Sequence, residues 1–473
     1  MTMETPALNL LAVSRDPDGG APGKANSSGS REPSEIPPFF KSLQWSADGT
    51  TLFTSSSEKH VSSYVLPETL LEPRDEPLHL KAHATLILGE PTSAIAPCPY
   101  FALENPYTQS ILTASSDHPI HLHYAFPQQP SEDNDGSTTT HQPPPLASFR
   151  LIKKETEAYL PIASLIWPAP GTHFIAGTTN RIALFDVSNP SSLSAEPLLS
   201  IATIPSTRHI RKGNGVGMRG TVSALASQVR ENGDAGLVAA GTRSRFMGLY
   251  DLQRAGECVA TWGVAGSAAE AGIGGGGVTQ TLWSPCGRYL LVNERGSSGL
   301  LVYDLRGTNQ LLAHLEGRNG DTNQRLSCDV FPGTNSAGGF EVWAGTKDGG
   351  VVMWEGVGNE YGAVSPTGGW DAHESAVGST AMHTSGSVLA TCSGSWEIKG
   401  SEYFSESTSE SEDSGSQDSD ESTSSNESGS ERSSRQPRGS PFVVKETSLK
   451  VWSIGGNNPP KGNTPDEEDG QGT

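Results

Sequence analysis

Residues 276–307, GGVTQTLWSPCGRYLLVNERGSSGLLVYDLRG, hold three apolar runs of strand length separated by two turn signals. TQTLW ends on Ser284-Pro285-Cys286-Gly287, YLLVNE ends in a Gly/Ser-rich turn, and LVYDL carries an aromatic-acid pair at Tyr303-Asp304. Short runs rich in Val, Thr, Leu and Tyr with such boundaries predict strands. A sheet of this size cannot bury both faces by itself, so the unit has to be repeated.

The repeat is present. Third strands of the same kind are VSSYVL at Tyr64, HLHYAF at His123-Tyr124, IALFDV at Phe185, GLYDL at Tyr250, LVYDL at Tyr303, VMWEG at Trp354 and KVWSI at Trp452. Each is preceded by a second apolar strand such as TLFTSSS, HFIAGTT or VLATCSGS, and before that by a first strand such as LQWSADG, SLIWPAPG or STAMHTSG. Seven copies in one order predict an all-β fold, a seven-bladed WD-repeat β-propeller, in which ring packing covers both faces of each sheet.

Successive closing aromatics lie 59, 62, 65, 53, 51 and 98 residues apart, so every blade carries a long loop. The last interval holds residues 401–440, almost wholly Ser, Glu, Asp, Thr and Gly, after which the pattern resumes with SLKVWSI. That segment is expected to be a disordered acidic insert in blade seven, either merely solvating or a substrate for acid-directed serine kinases. The expected layout is an N-terminal segment 1–38, a propeller over 39–400 and 441–454, the insert 401–440, and a disordered tail 455–473. Blade seven lacks an outer strand in this reading, and the apolar run Ala7–Val13 is expected to supply it and close the ring. Residues 14–34 and 128–145 read as disordered loops.

The net charge is −21, but its location matters more than its sum. The insert carries ten acids against three arginines and the tail four acids against Lys461, which leaves −11 elsewhere and permits a local basic patch. Cys98, Cys258, Cys286, Cys328 and Cys392 are far apart with no C-x-x-C pair, which argues against a disulfide framework or zinc site. They are expected to be small buried apolar side chains. With no signal-like start and no apolar run of about 18 residues, a soluble, intracellular, reduced protein is expected.

No enzymatic apparatus is legible, and no cofactor or metal is expected. GIGGGG at 272–277 fits G-x-G-x-x-G but stands before a strand rather than between strand and helix. No phosphate loop or nucleophile elbow occurs, and His373-Glu374 lacks the second His of H-E-x-x-H. His118, His121 and His123 alternate, which places them on one face of one strand without a further metal ligand. Structural or partner-contact roles are the alternatives for them.

Basic residues cluster in three loops: Arg208, His209, Arg211 and Lys212 with Arg219 at the entry to blade four, Arg243 and Arg245 within it, and Arg318 with Arg325 between blades five and six. Arginine forks grip phosphate and stack on bases, so these loops are candidate contacts for RNA or a partner; scattered solvated arginines are the alternative.

The blocks 39–67, 115–126, 248–252, 276–307, 322–333 and 344–356 resemble, in this order, the telomerase Cajal body WD-repeat proteins. Asp117-His118-Pro119-Ile120-His121 and Thr322-Asn323-Gln324-Arg325 are the specific parts, because ordinary WD repeats do not share them. An acidic low-complexity insertion in the last blade is also similar to that family. The resemblance implies RNA-protein work in the nucleus: animal members recognise a short box in small Cajal body RNAs and telomerase RNA, and fungal relatives are associated with pre-mRNA splicing. The expectation is a nuclear scaffold, with a cytoplasmic pool allowed, that binds a small nuclear or telomerase-type RNA and its particle proteins. Its candidate contacts are Arg318, Asn323, Gln324, Arg325, the two other basic clusters, His118 and His121. Other proteins would bind through the propeller loops; no membrane or DNA partner and a monomeric chain are expected. The alternative is an RNA-independent protein adaptor, splicing-associated or similar to a G-protein β-type propeller.

Overall fold

The computed structural model describes residues 8–17, 36–126, 144–188, 195–204, 217–229, 235–307, 310–333, 339–398 and 442–455. The calls on the acidic insert, the tail beyond 455, most of the two loops and Ala7 lie outside these residues.

Seven antiparallel sheets follow one another along the chain. Blade one comprises Phe40–Trp45, Thr51–Ser56, His60–Val65 and Ala84–Ile87, and blade two Thr92–Pro97, Ser110–Ser115, Ile120–Tyr124 and Ala147–Phe149. Blade three takes Ser164–Ile166, His173–Thr178, Arg181–Asp186 and Leu199–Ala202; blade four takes Val222–Val229, Ala235–Thr242, Phe246–Asp251 and Glu257–Gly263. Blade five has Val278–Trp283, Tyr289–Glu294, Leu300–Asp304 and Leu311–Leu315, and blade six Cys328–Pro332, Phe340–Gly345, Gly350–Val357 and Gly368–Asp371. Blade seven joins Val377–Met382, Val388–Ser393 and Ser448–Ile454 to the N-terminal strand Leu8–Ser14.

The first strand of every blade lines one central channel, through Lys41, Ser93, Ser164, Ala224, Gln280, Asp329 and Thr380 among others. The molecule is therefore a closed seven-bladed β-propeller. Leu8–Ser14 runs antiparallel to Ser448–Ile454, with Leu8 opposite Ile454 and Ser14 opposite Leu449, so the two ends of the described chain share one sheet. Two outer edges are covered by the blade that follows. Leu78–His79 adds in parallel to the N-terminal strand, and Gly362–Val364 adds in parallel to Leu311–Leu315. Edge strands so covered cannot template pairing with another chain.

The core lies between blades. One cluster spans blades one to three, and others join four to five, five to six, three to four, six to seven, and seven to one. Second strands such as Tyr289–Glu294 and Val388–Ser393 are buried at every residue because both faces meet a neighbour. Outer strands are only partly covered, as in Leu199–Ala202, where only Ile201 is buried. Their apolar signal is correspondingly weak, and the sequence showed three strands per blade where the fold has four. The first-to-second turns use Gly49, Gly171 and Gly287 at φ of 73°, 85° and 69°, a left-handed backbone that glycine adopts without strain.

Among the described residues there is one short α-helix, Ala265–Glu270, and GIGGGG leads from it into Val278–Trp283. A Cβ on Gly277 would stand 2.6 Å from the Arg243 carbonyl oxygen, so this glycine permits the close approach of blades four and five. The cysteine expectation needs correction. Cys98, Cys328 and Cys392 are buried, whereas Cys258 and Cys286 are exposed, because they sit on an outer strand and in a turn.

Blade seven also contains a buried polar chain. His373 meets Thr391 Oγ1 at 2.8 Å and Ser448 Oγ at 2.9 Å, Trp452 Nε1 donates to Thr391 Oγ1 at 2.9 Å, and Ser448 donates to Glu446 at 2.6 Å. Lys450 Nζ lies 2.8 Å from the same Glu446 oxygen. These bonds tie the entry of the blade to its second and third strands.

Candidate nucleic-acid interface

With four antiparallel strands per blade, the second-to-third turns and the connections into the next blade emerge at the same end of the ring. Arg219, the Arg243–Arg245 turn and the Arg318–Arg325 connection belong to such segments, and Lys41 lies at the same end, near the start of the strand Phe40–Trp45. Arg208, Arg211 and Lys212 lie outside the described residues; Arg219, next to that gap, is exposed.

The remaining cations divide by environment. Arg318 is only 2% exposed and is held inside the fold: Nε donates to Gly345 O at 2.9 Å, Nη1 to Asn293 Oδ1 at 2.9 Å and Nη2 to Leu326 O at 3.0 Å. Arg245 forms a bidentate pair with the buried Glu294, both contacts at 2.8 Å. Both side chains hold blades together and are occupied. Arg243 is exposed in the same turn as Arg245.

Arg325 reaches into the channel. Its Nη2 donates to the carbonyls of Ser223, 3.0 Å away, and Thr279, at the starts of the first strands of blades four and five. Burial, with Arg243 and Arg295 nearby, lowers its pKa to about 10. Lys41 donates to Thr92 O at 2.7 Å; burial first, and the charge on Arg325 second, lowers its pKa. Lys41 and Arg295 were not singled out from the sequence, because single cations at blade starts and turns form no run. Gln324 Nε2 donates to Gly394 O at 2.8 Å, which bridges toward blade seven, while Asn323 is exposed.

The histidine expectation is partly corrected. His121 and His123 lie on Ile120–Tyr124 and stack at 5.6 Å between ring centroids, but His118 belongs to the preceding turn, where Asp117 has φ 58°. Asp117 bends the chain before the strand begins, so the alternating spacing does not extend to His118. All three nevertheless line one cavity of about 250 Å³, together with Leu88, Thr113 and Pro144. Burial, and His121 beside it, holds the pKa of His123 down to about 4, so it is neutral at physiological pH.

Comparison with known proteins finds relatives that align over most of the chain. The chain is 24% identical over 448 residues to telomerase Cajal body protein 1 of Mesocricetus auratus, covering 92% of this chain and 69% of that protein. It is 25% identical over 363 residues to the human protein of the same name, covering 75% and 57%. Over most of its length this chain is similar to the telomerase Cajal body proteins. The guanine nucleotide-binding protein negative regulator 1 of Schizosaccharomyces pombe is similar as well, at 25% over 319 residues, covering 67% of this chain and 70% of that protein. No protein-family model matches the chain. The two family-like segments, Asp117–His121 and Thr322–Arg325, fall on the same end of the ring, at the histidine cavity and the channel mouth. This end, which carries both segments, is the candidate working surface.

Proposed function

We propose that the protein is a nuclear WD-repeat scaffold that binds a small non-coding RNA, of small nuclear or telomerase type, or its ribonucleoprotein particle, and assists its assembly or localisation without chemistry of its own. The single observation that carries this reading is a face of a net-acidic protein on which Lys41, Arg243, Arg295 and Arg325 gather from different blades around one opening. Cations without a counter-ion favour phosphate, and arginine forks suit its geometry. The names of the relatives supply the particle type. Of the contacts expected from sequence, Arg219, Arg243, Asn323, Gln324, Arg325, His118 and His121 remain in this proposal.

Crosslinking and immunoprecipitation with sequencing from cells expressing a tagged copy tests it. Enrichment of one small nuclear or telomerase-type RNA is the expected outcome, and recovery at background level removes the reading. The second reading is an RNA-independent adaptor, motivated by the net acidity and by the name of the Schizosaccharomyces pombe relative. Nuclease treatment before affinity purification separates the two: protein partners that persist undiminished favour the adaptor.

A further inference from the structure

Arg325 uses one of its nitrogens, Nη2, to hold the first strands of blades four and five. Its Nε and Nη1 have no protein partner among the described residues. Arg243 and Arg295 stand near enough to disfavour its charge, and Arg325 does the same to Lys41. Among the described residues none of these four cations is in an ion pair, unlike Arg245, Arg288 and Arg306 on the same protein. Half-buried like charges with no counter-ion oppose folding, and an anion placed among them removes that cost.

The channel beneath this cluster has a volume of about 480 Å³. That space takes a phosphate group with the unit attached to it, and no nucleic-acid duplex. The acid lining the channel is Asp329, whose carboxylate already accepts from Met382 N at 2.7 Å and Val330 N at 2.9 Å, so the cations are left to an outside partner. We propose that this channel mouth is a binding site for a terminal phosphate or pyrophosphate group, held by Arg325 and Lys41 within the channel and by Arg243 and Arg295 at its rim. The phosphate comes either from the 5′ end of an RNA or from a free small phosphate ester. The inference deepens the RNA reading and rests on it for the first of these sources.

Calorimetric titration of the full chain with sodium pyrophosphate is the test, repeated on the double variant Arg243→Gln/Arg295→Gln and on Lys41→Met. Among the described residues the side chains of the rim arginines make no hydrogen bond or ion pair, so the double variant should melt no lower than the wild type. Its pyrophosphate affinity should weaken about tenfold or more, the scale of two lost charge contacts. Displacement of pyrophosphate by a 5′-phosphorylated oligoribonucleotide, but not by its 5′-hydroxyl counterpart, assigns the site to an RNA end; displacement by neither assigns it to a free phosphate ester. No binding by the wild type at millimolar pyrophosphate, or equal affinity in the double variant, overturns the site. If pyrophosphate binds as expected while no RNA is recovered from cells, the RNA reading alone fails; if RNA is recovered but pyrophosphate is not bound, the channel site alone fails.

Discussion

Individual side chains show how much of the polar chemistry of this ring is structural. Arg318 satisfies three acceptors from three segments, and Asn293, which receives one of those bonds, also donates to Leu326 O at 2.8 Å. Arg318→Met should cost about 3 kcal/mol, because buried acceptors lose a charged donor at once. A thermal melt reads this as a clear fall, whereas Arg243→Gln should leave the melt in place. The His373 chain gives a pH prediction. Burial, ahead of smaller opposing effects from Glu446, lowers the His373 pKa, so the folded imidazole is neutral where the unfolded one begins to take up a proton. Its contribution is complete above the ordinary value of 6.5 and is lost as pH falls through that value toward the folded pKa. Burial works against the Glu446 carboxylate, but hydrogen bonds from His373, Glu374 N, Lys450 and Ser448 outweigh it and hold the pKa well below the carboxylate range. Its stabilisation is lost only under stronger acid, as pH drops below about 4.5. Melts of the wild type and His373→Gln between pH 7.5 and about 5 should therefore converge as pH falls, and a constant gap would refute the assignment.

Among the elements, the N-terminal strand is the one whose removal the topology makes most costly. Leu11 and Ala12 are buried against blade seven, and Tyr64 of blade one donates to Asp16 O at 2.9 Å just beyond the strand. Deleting residues 1–15 exposes the edge of Ser448–Ile454 and removes the pairing that joins the chain ends. A melting temperature lowered by several degrees is the expected result. Removal of residues 401–440 should act differently. Val388–Ser393 and Ser448–Ile454 pair in unbroken register from Val388 opposite Ser453 to Ser393 opposite Ser448, and Glu397–Ile398 pairs with Phe442–Val443 nearer the insert. The hairpin is complete without the intervening residues, so the deletion variant should melt within about 2 °C of the full chain, less than the loss of one ordinary contact would produce.

For the whole molecule, closure converts seven marginal sheets into one cooperative body whose loops at one end are free to vary. The charge distribution then matters more than the net charge, because exposed charges beyond about 10 Å are screened at moderate salt. RNA affinity of the full chain should therefore fall with rising salt, and the log-log slope should become shallower in the Arg243→Gln/Arg295→Gln variant. An unchanged slope would move the phosphate contacts to other residues.

Blade number, strand order and the turn glycines were readable from the chain alone, because strand length, period and left-handed turns are local properties. The outer strands were not, since edge strands expose most residues and carry little apolar pattern. The same distinction governs the candidate surface. Composition and spacing marked Arg318, Arg245 and Arg325 as equals, but only packing shows that the first two are consumed by Leu326, Gly345, Asn293 and Glu294, while Arg325 reaches the channel that Lys41 also lines. Local geometry is written in neighbouring residues; which charges end up compensated depends on partners tens to hundreds of positions away, and tertiary structure alone brings those together.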